Sequence, residues 1–158
     1  LGVENVWARA CPLFVPLVEE GISQGPMVDA ACEMYLWDIP EDTKVVMLAC
    51  THYPRLALPI AEAIERRLGK TVIYKTIEGD WVLKLDTKNT EDPIYLVESS
   101  LPIVNYVTQF LSVTSLKESL FHSEKRVLCT DSPEQFESIA RFFTTISLPK
   151  VEAVEIQT

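Results

Sequence analysis

The strongest constraint on the fold is an alternation of short apolar runs with helical segments along the 158 residues. "KVVMLAC" is a continuous apolar run of the kind buried in a parallel sheet. "PIAEAIERRLG" after it places Ile60, Ile64 and Leu68 on one helical face, with Pro59 in the first turn and Gly69 at the C-terminal stop. This strand and helix form the first unit of a predicted α/β fold.

The alternation recurs on both sides of this unit. "PMVDAACEMYLWDIP" has helical spacing at Met27, Ala31, Met34 or Tyr35, and Asp38, and "IYLVESSLPIVNYVTQFL" predicts a strand, a serine cap and a helix. "TVIY" and "VEAVEI" predict strands, and "NVWARACPLFVPLV" is a strand-like run broken by two prolines. Strands alternating with helices of this length predict parallel α/β packing.

The segment "KRVLCTDSPEQFESIARFF" predicts one more strand and helix. Asp131 or Ser132 is expected to cap the helix, and Pro133 occupies its first position. The spacing of Phe136, Ala140 and Phe143 predicts an inward-facing stripe.

Residues 75–93, "KTIEGDWVLKLDTKNTEDP", break the alternation. "WVLKL" and "IYLV" flank a polar, turn-rich loop, which predicts a β-hairpin or a mobile excursion carrying an exposed Trp81.

Charge and cysteine content exclude several classes of function. The net charge of −9 and the scattered basic residues argue against nucleic-acid binding. No apolar run has the length of a membrane span, and no signal-peptide pattern is visible, so a cytoplasmic protein with reduced thiols is expected. The spacing of the four cysteines matches neither a zinc module nor a CxxC pair, so no metal site is expected.

The opening "LGVENVWARACPLF" lacks a methionine, and we expect a fragment of a longer protein.

"LACTHYP" places a cysteine two residues before one of only two histidines. Ligands bind beyond the carboxyl ends of strands in an open parallel sheet, which is where Cys50 is expected. The amides that open the following helix would favour a thiolate, and His52 could serve as its proton partner. The alternative is that Cys50 is a small residue that only packs in the core at the end of the strand. A phosphatase loop is excluded because Arg55 follows Cys50 after four residues instead of five, and zinc would need more ligands.

Two motifs together resemble the aspartate/glutamate racemase superfamily, in particular the C-terminal portion of glutamate racemase: "CPLFVPLVEEG" and, downstream, "VVMLACTHYP". "YLVESSLPIVNYVTQFL" and "VLCTDSPEQFESIARFF" are similar to later segments of that family. The resemblance implies a three-layer, parallel-sheet α/β lobe of a two-lobed fold, together with part of the second lobe. It implies a lobe at residues 1–111, with 75–93 as an insertion, and a closing segment at 112–158 that packs on the other lobe.

The resemblance also implies a reaction and a set of site residues. Members of the family interconvert L- and D-glutamate without a cofactor, and two thiols act on opposite faces of the α-carbon. Cys50 matches one of these thiols, Thr51 and His52 match residues that bind substrate and assist it, and Glu19 matches a supporting carboxylate, with Glu20 as the alternative. The expected role is an isomerase that supplies peptidoglycan synthesis and cell shape. Its partner is glutamate, and a homodimer is one assembly to expect.

The chain departs from the family at several points. Ala49 replaces a usual glycine and Arg55 a usual apolar residue. The family's Asp-Ser pair, Tyr-Gly pair and first Cys-Asn motif are missing, so the isolated chain is expected not to racemise. The alternatives are a racemase-like binding or regulatory domain without activity, and a Cys-His hydrolase with Cys50 as nucleophile.

Overall fold

A computed structural model describes residues 5–76, 79–82, 91–113, 125–144 and 147–156. They divide into two compact units, Leu1–Tyr106 and Val107–Thr158. The helices are α1 (Phe14–Glu19), α2 (Pro26–Leu36), α3 (Ala57–Leu68), α4 (Ser100–Val113) and α5 (Pro133–Phe143), with a 3-10 helix at Tyr53–Leu56. The strands are β1 (Val45–Leu48), β2 (Val72–Thr76), β3 (Gly79–Val82), β4 (Ile94–Glu98), β5 (Val127–Cys129) and β6 (Val151–Ala153).

The first unit contains a four-stranded sheet in the order β1-β4-β2-β3. β4 pairs in parallel with both β1 and β2, so the predicted parallel α/β class is confirmed. β3 pairs antiparallel with β2, in the register Ile73↔Val82 to Thr76↔Gly79. The hairpin therefore joins β3 to the preceding strand, and the prediction that "WVLKL" pairs with "IYLV" is wrong. Residues 77–78 and 83–90 of the predicted insertion lie outside the described residues.

The core of this unit lies between the sheet and the first three helices. α3 packs on β2 and against α2, and Ile60, Ile64, Val72, Ile94 and Leu96 are at most 3% exposed. The opposite side of the sheet is open at Val45, Met47 and Tyr95, which are 58%, 61% and 37% exposed. The expected burial of the β1 run is therefore wrong for Val45 and Met47, which lie on this face of the sheet.

Two local predictions near the N-terminus also need correction. The run "NVWARACPLFVPLV" contains no strand: residues 5–13 are irregular, and the helix α1 begins at Phe14. Pro16 lies in the first helical turn, where no amide hydrogen is needed. α2 begins at Pro26 as expected, but it buries Val28, Ala31, Cys32 and Tyr35 and leaves Met27 and Met34 exposed.

The second unit contains the parallel pair β5-β6, with α5 packed on β6. Pro133 opens α5 as predicted, and Ser132 is the N-cap residue, although no side chain makes the expected capping hydrogen bond. Phe136 and Phe143 are 40% and 36% exposed, so the predicted inward stripe is wrong for these two residues.

Candidate active site

The turn after β1 carries the thiol that the sequence singles out. Cys50 is half-buried, two residues beyond the end of β1, and the 3-10 helix begins at Tyr53. The Tyr53 amide donates to the Cys50 carbonyl at 3.2 Å, and the Arg55 amide donates to the His52 carbonyl at 3.0 Å. These amides therefore bind backbone oxygens of the turn, and the thiol does not receive the help that the sequence predicts from them.

The imidazole of His52 is the centre of the site. Its Nδ1 lies 3.9 Å from Sγ of Cys50 and 3.3 Å from Oγ1 of Thr51. Its Nε2 lies 3.2 Å from Oε1 of Glu19, and the His52 side chain is 23% exposed. One imidazole thus joins a carboxylate on one side to a thiol and a hydroxyl on the other.

The protonation of His52 follows from these neighbours. An ionised carboxylate only accepts hydrogen bonds, so the contact with Glu19 is a hydrogen bond in the tautomer that carries its hydrogen on Nε2. In the neutral imidazole the lone pair then lies on Nδ1, where it can accept the thiol proton of Cys50. Transfer of that proton gives a thiolate beside an imidazolium whose charge Glu19 stabilises. The arrangement is suited to storing and returning a proton at one sulfur.

Glu19 reaches this site from α1, 33 residues before His52 along the chain. It is the last residue of α1, and its side chain is 49% exposed. Glu20, the alternative carboxylate, is exposed and lines a groove of about 490 Å³ between α1 and α2. The structure therefore brings together Cys50, Thr51, His52 and Glu19, and places Glu20 elsewhere.

Beneath these side chains lies an aromatic cluster that sequence reasoning missed. The Phe14 ring is 1% exposed and lies edge-to-face with Tyr35 and with Tyr53, each at a centroid distance of 5.3 Å. The Tyr53 hydroxyl donates to the Cys11 carbonyl at 3.3 Å. The only sequence signal for this cluster is that Tyr53 directly follows His52.

A second polar pair, Tyr74 and Glu98, lies at the end of β4, the strand next to β1. In the parallel register Leu48 lies opposite Glu98, and the Tyr74 hydroxyl donates to Oε2 of Glu98 at 3.1 Å. Burial, together with the adjacent Glu98 carboxylate, raises the pKa of Tyr74, so this phenol stays a hydrogen-bond donor. Glu98 therefore ends β4 at the same sheet edge at which β1 ends before Cys50.

The remaining cysteines have different surroundings. Cys11 and Cys32 are buried, and burial raises both pKa values, that of Cys32 to about 12. Cys129 is half-buried at the end of β5 in the second unit. Among the described residues no three His, Cys, Asp or Glu side chains form a group that could hold a metal ion, and His122 lies outside those residues. The described helices include none that is long and apolar enough to cross a membrane.

By its fold, the chain resembles amino-acid racemases, a class of isomerases. More particularly, it is homologous to glutamate racemases, and the resemblance inferred from its two motifs is confirmed. The enzyme of Chlorobium phaeobacteroides is 27% identical over 154 residues, covering 96% of this chain and 47% of that protein. The enzyme of Thermus thermophilus is 52% identical over 54 residues, covering 34% of this chain and 21% of that protein. No protein-family model matches the chain.

Solved structures give the same result. The glutamate racemase of Thermus thermophilus, in complex with β-chloro-D-alanine, has a TM-score of 0.65 and 28% identity and covers 98% of this chain. The enzyme of Francisella tularensis, in complex with D-glutamate, has a TM-score of 0.63, and at 22% identity this likeness concerns the fold. The chain covers 49% and 46% of these structures, so it spans about half the length of the racemases that it matches.

Proposed function

We propose that this chain supplies one of the two thiol half-sites of a cofactor-independent glutamate racemase. The observation that carries the proposal is the line of contacts from Glu19 through His52 to Cys50. Homology to glutamate racemases over nearly the whole chain supports the choice of substrate.

The chemistry of the half-site is a proton transfer at carbon. The Cys50 thiolate takes the α-proton of one glutamate enantiomer and becomes a thiol, and the electron pair stays on the substrate as a carbanion. A thiol on the other face delivers a proton to that carbanion and completes the inversion. In the reverse direction the Cys50 thiol gives its proton back, so each turnover changes only which sulfur holds a proton. His52 and Glu19 set the thiolate population, and Thr51 offers its hydroxyl to a substrate carboxylate.

The second thiol belongs, in this proposal, to the half of the racemase fold that lies outside the present chain. Exposed Phe136, Phe143 and Leu128 in the second unit support the proposal that residues 112–158 pack on another lobe. The proposal includes a cytoplasmic enzyme that supplies D-glutamate for peptidoglycan and so contributes to cell-wall biogenesis, and a homodimer as its assembly.

The test is exchange of the α-hydrogen of glutamate in D₂O, followed by NMR for each enantiomer separately. The unsubstituted chain is expected to exchange one enantiomer slowly without inverting it, because one thiol can remove and return a proton only on one face. Cys50→Ser should abolish the exchange, and Cys129→Ser, at the other half-buried thiol, should preserve it.

Two outcomes would decide against the proposal. Exchange that survives Cys50→Ser would place the chemistry elsewhere. An absence of exchange, while glutamate still protects Cys50 from alkylation, would favour a racemase-like binding domain.

A Cys-His hydrolase ranks after the binding domain as an alternative, and its support is that Glu19 gives His52 the orienting carboxylate that such an enzyme needs. Activated esters separate this candidate from the first: a hydrolase would accumulate an acyl group on Cys50, whereas a racemase half-site would release no alcohol by turnover.

A further inference from the structure

Tyr53 links the turn that holds Cys50 and His52 to the start of α1. Its backbone amide donates to the Cys50 carbonyl at 3.2 Å, and its hydroxyl donates to the Cys11 carbonyl at 3.3 Å. Its ring also lies against Phe14, the first residue of α1. One residue therefore contacts both the thiol-bearing turn and the helix that carries Glu19.

The segment before α1 is fixed at the Cys11 carbonyl. That oxygen accepts the Phe14 amide at 3.1 Å as well as the Tyr53 hydroxyl. Cys11 and Phe14 are 6% and 1% exposed, so these bonds lie in a water-poor environment where they are strong. The start of α1 is thus attached to Tyr53 by one hydrogen bond and one aromatic contact.

The end of α1 is attached to the same turn by a different contact. Glu19 closes α1 and meets Nε2 of His52 at 3.2 Å, and His52 is the residue immediately before Tyr53. The six residues of α1, about 7.5 Å long at a rise of 1.5 Å per residue, therefore contact this turn at both ends. The start of α1 is thus held by Tyr53 and its end by His52, the residue next to it.

We propose that Tyr53 is a positioning residue that acts through α1 to hold Glu19 against His52, and so sets the thiolate population of Cys50. The role of that thiolate in racemisation rests on the proposed function, but the positioning itself does not. Burial, with the nearby Cys11 and Cys50 thiols, raises the pKa of Tyr53, so its hydroxyl keeps the proton that it donates to Cys11.

Tyr53→Phe is a clean variant for the test. It keeps the ring against Phe14, and the Cys11 carbonyl keeps the Phe14 amide as donor, so no buried acceptor is left without a partner. The thermal midpoint of unfolding should therefore change little. Tyr74→Phe is the control, because it removes a part-buried hydroxyl whose hydrogen bond goes to Glu98 in β4 and not to the start of α1.

The readout is the rate of iodoacetamide alkylation as a function of pH, with Cys129→Ser as the common background so that Cys50 is the one half-buried thiol. Tyr53→Phe should slow alkylation of Cys50 at pH 7 by about threefold, because part of the contribution of the half-exposed Glu19–His52 contact is lost. Tyr74→Phe should leave the profile unchanged.

A double-mutant cycle with Glu19→Gln separates positioning from a direct effect of the hydroxyl. If Tyr53 acts through Glu19, the double variant should be no slower than Glu19→Gln alone. Glu20→Gln, the same charge change one residue later, is the control for the carboxylate.

An unchanged pH profile in Tyr53→Phe, or effects of Tyr53→Phe and Glu19→Gln that simply add, would overturn the inference. Neither measurement needs glutamate. A chain that exchanges no glutamate α-hydrogen but shows the coupled shift would refute the proposed function and leave the positioning role intact.

Discussion

At the scale of single residues, His52 matters because its two nitrogens meet groups of opposite character. Glu19 can only accept a hydrogen bond at Nε2, whereas Cys50 and Thr51 can donate one at Nδ1. The contact with Glu19 is half-exposed, and such pairs contribute at most about 1 kcal/mol, or about fivefold in an equilibrium constant. The contact with Glu19 therefore contributes mainly to the position of the His52 ring between the carboxylate and the thiol.

Glu65 gives a prediction about pH and stability. This carboxyl is 4% exposed, Oε1 accepts the Val72 amide at 3.0 Å, and Oε2 is buried without a partner among the described residues. Burial raises its pKa above the ordinary 4.5, so the folded chain holds this proton more tightly than the unfolded chain does. The corresponding stability is complete below about pH 4.5 and is lost as the pH rises through the folded pKa.

Glu65→Gln should therefore be more stable than the parent at pH 7, by up to about 1 kcal/mol, because the amide keeps the bond to Val72 without burying a charge. The gain should vanish near pH 4. Urea unfolding between pH 4 and pH 8 measures this difference, with the exposed Glu155→Gln as control. An equal gain at every pH would contradict the assignment of a raised pKa.

The site was predictable from the sequence only where it is local. Cys50, Thr51 and His52 are consecutive, and the end of an apolar run already places them at a sheet edge. Glu19 is 31 residues before Cys50, and it was identified through the family resemblance alone. Tyr53 was missed because its role depends on contacts with Cys11 and Phe14. Sequence spacing does not indicate that these residues are close to Tyr53 in space.

At the scale of elements, α3 is where local signals and structure agree. Gly69 takes the left-handed conformation at φ 66°, and its amide donates to the Glu65 carbonyl at 2.8 Å. The sequence predicted this stop because glycine is the residue that tolerates such a conformation.

Gly69→Ala should lower the free energy of unfolding by about 1 kcal/mol. A Cβ at this position meets nothing within 4 Å, so the cost comes from the backbone conformation and not from a clash. Gly69→Asn should cost less, since asparagine tolerates the left-handed region better than alanine does. Chemical denaturation of the three proteins checks the order, and equal stability of Ala and Gly forms would contradict it.

α1 shows why other elements escaped prediction. Its apolar residues and prolines are typical of a broken strand when they are considered alone. Tertiary packing decides the outcome, because Phe14, Leu17 and Val18 are buried together only in a helical turn. The open face of β1 was unpredictable for a related reason: an apolar strand does not specify whether both of its sides are covered.

At the scale of the whole molecule, α4 is the most unusual part of the described structure. "SLPIVNYVTQFLSV" contains no charged residue, yet Ile103, Tyr106 and Phe110 are 62%, 70% and 50% exposed. The polar residues Asn105, Thr108, Gln109 and Ser112 share the opposite face, and the apolar face of such an amphipathic helix is normally packed against another element. The sequence predicted the helix itself, but its exposure reflects covering surface that the described residues do not provide.

The chain should therefore bind the dye ANS in its folded state, because ANS binds exposed apolar surface. Ile103→Gln combined with Phe110→Gln should reduce the bound-dye fluorescence by roughly half. Val6→Gln, at an apolar residue that is 76% exposed outside any helix or strand, is the control and should change it little. Unaltered fluorescence in the double variant would show that α4 is covered in solution.

The shortness of α1 has a consequence for temperature. Six residues cannot sustain a helix alone, so α1 persists only through its packing against the turn after β1 and against α2. Segments held in this way open locally before the rest of a domain melts. Amides of α1 should thus exchange with deuterium on mild warming, while those of β4 stay protected. Opening of α1 would also remove the Glu19 carboxylate from His52, beside the sulfur at position 50, well below the temperature at which the sheet unfolds.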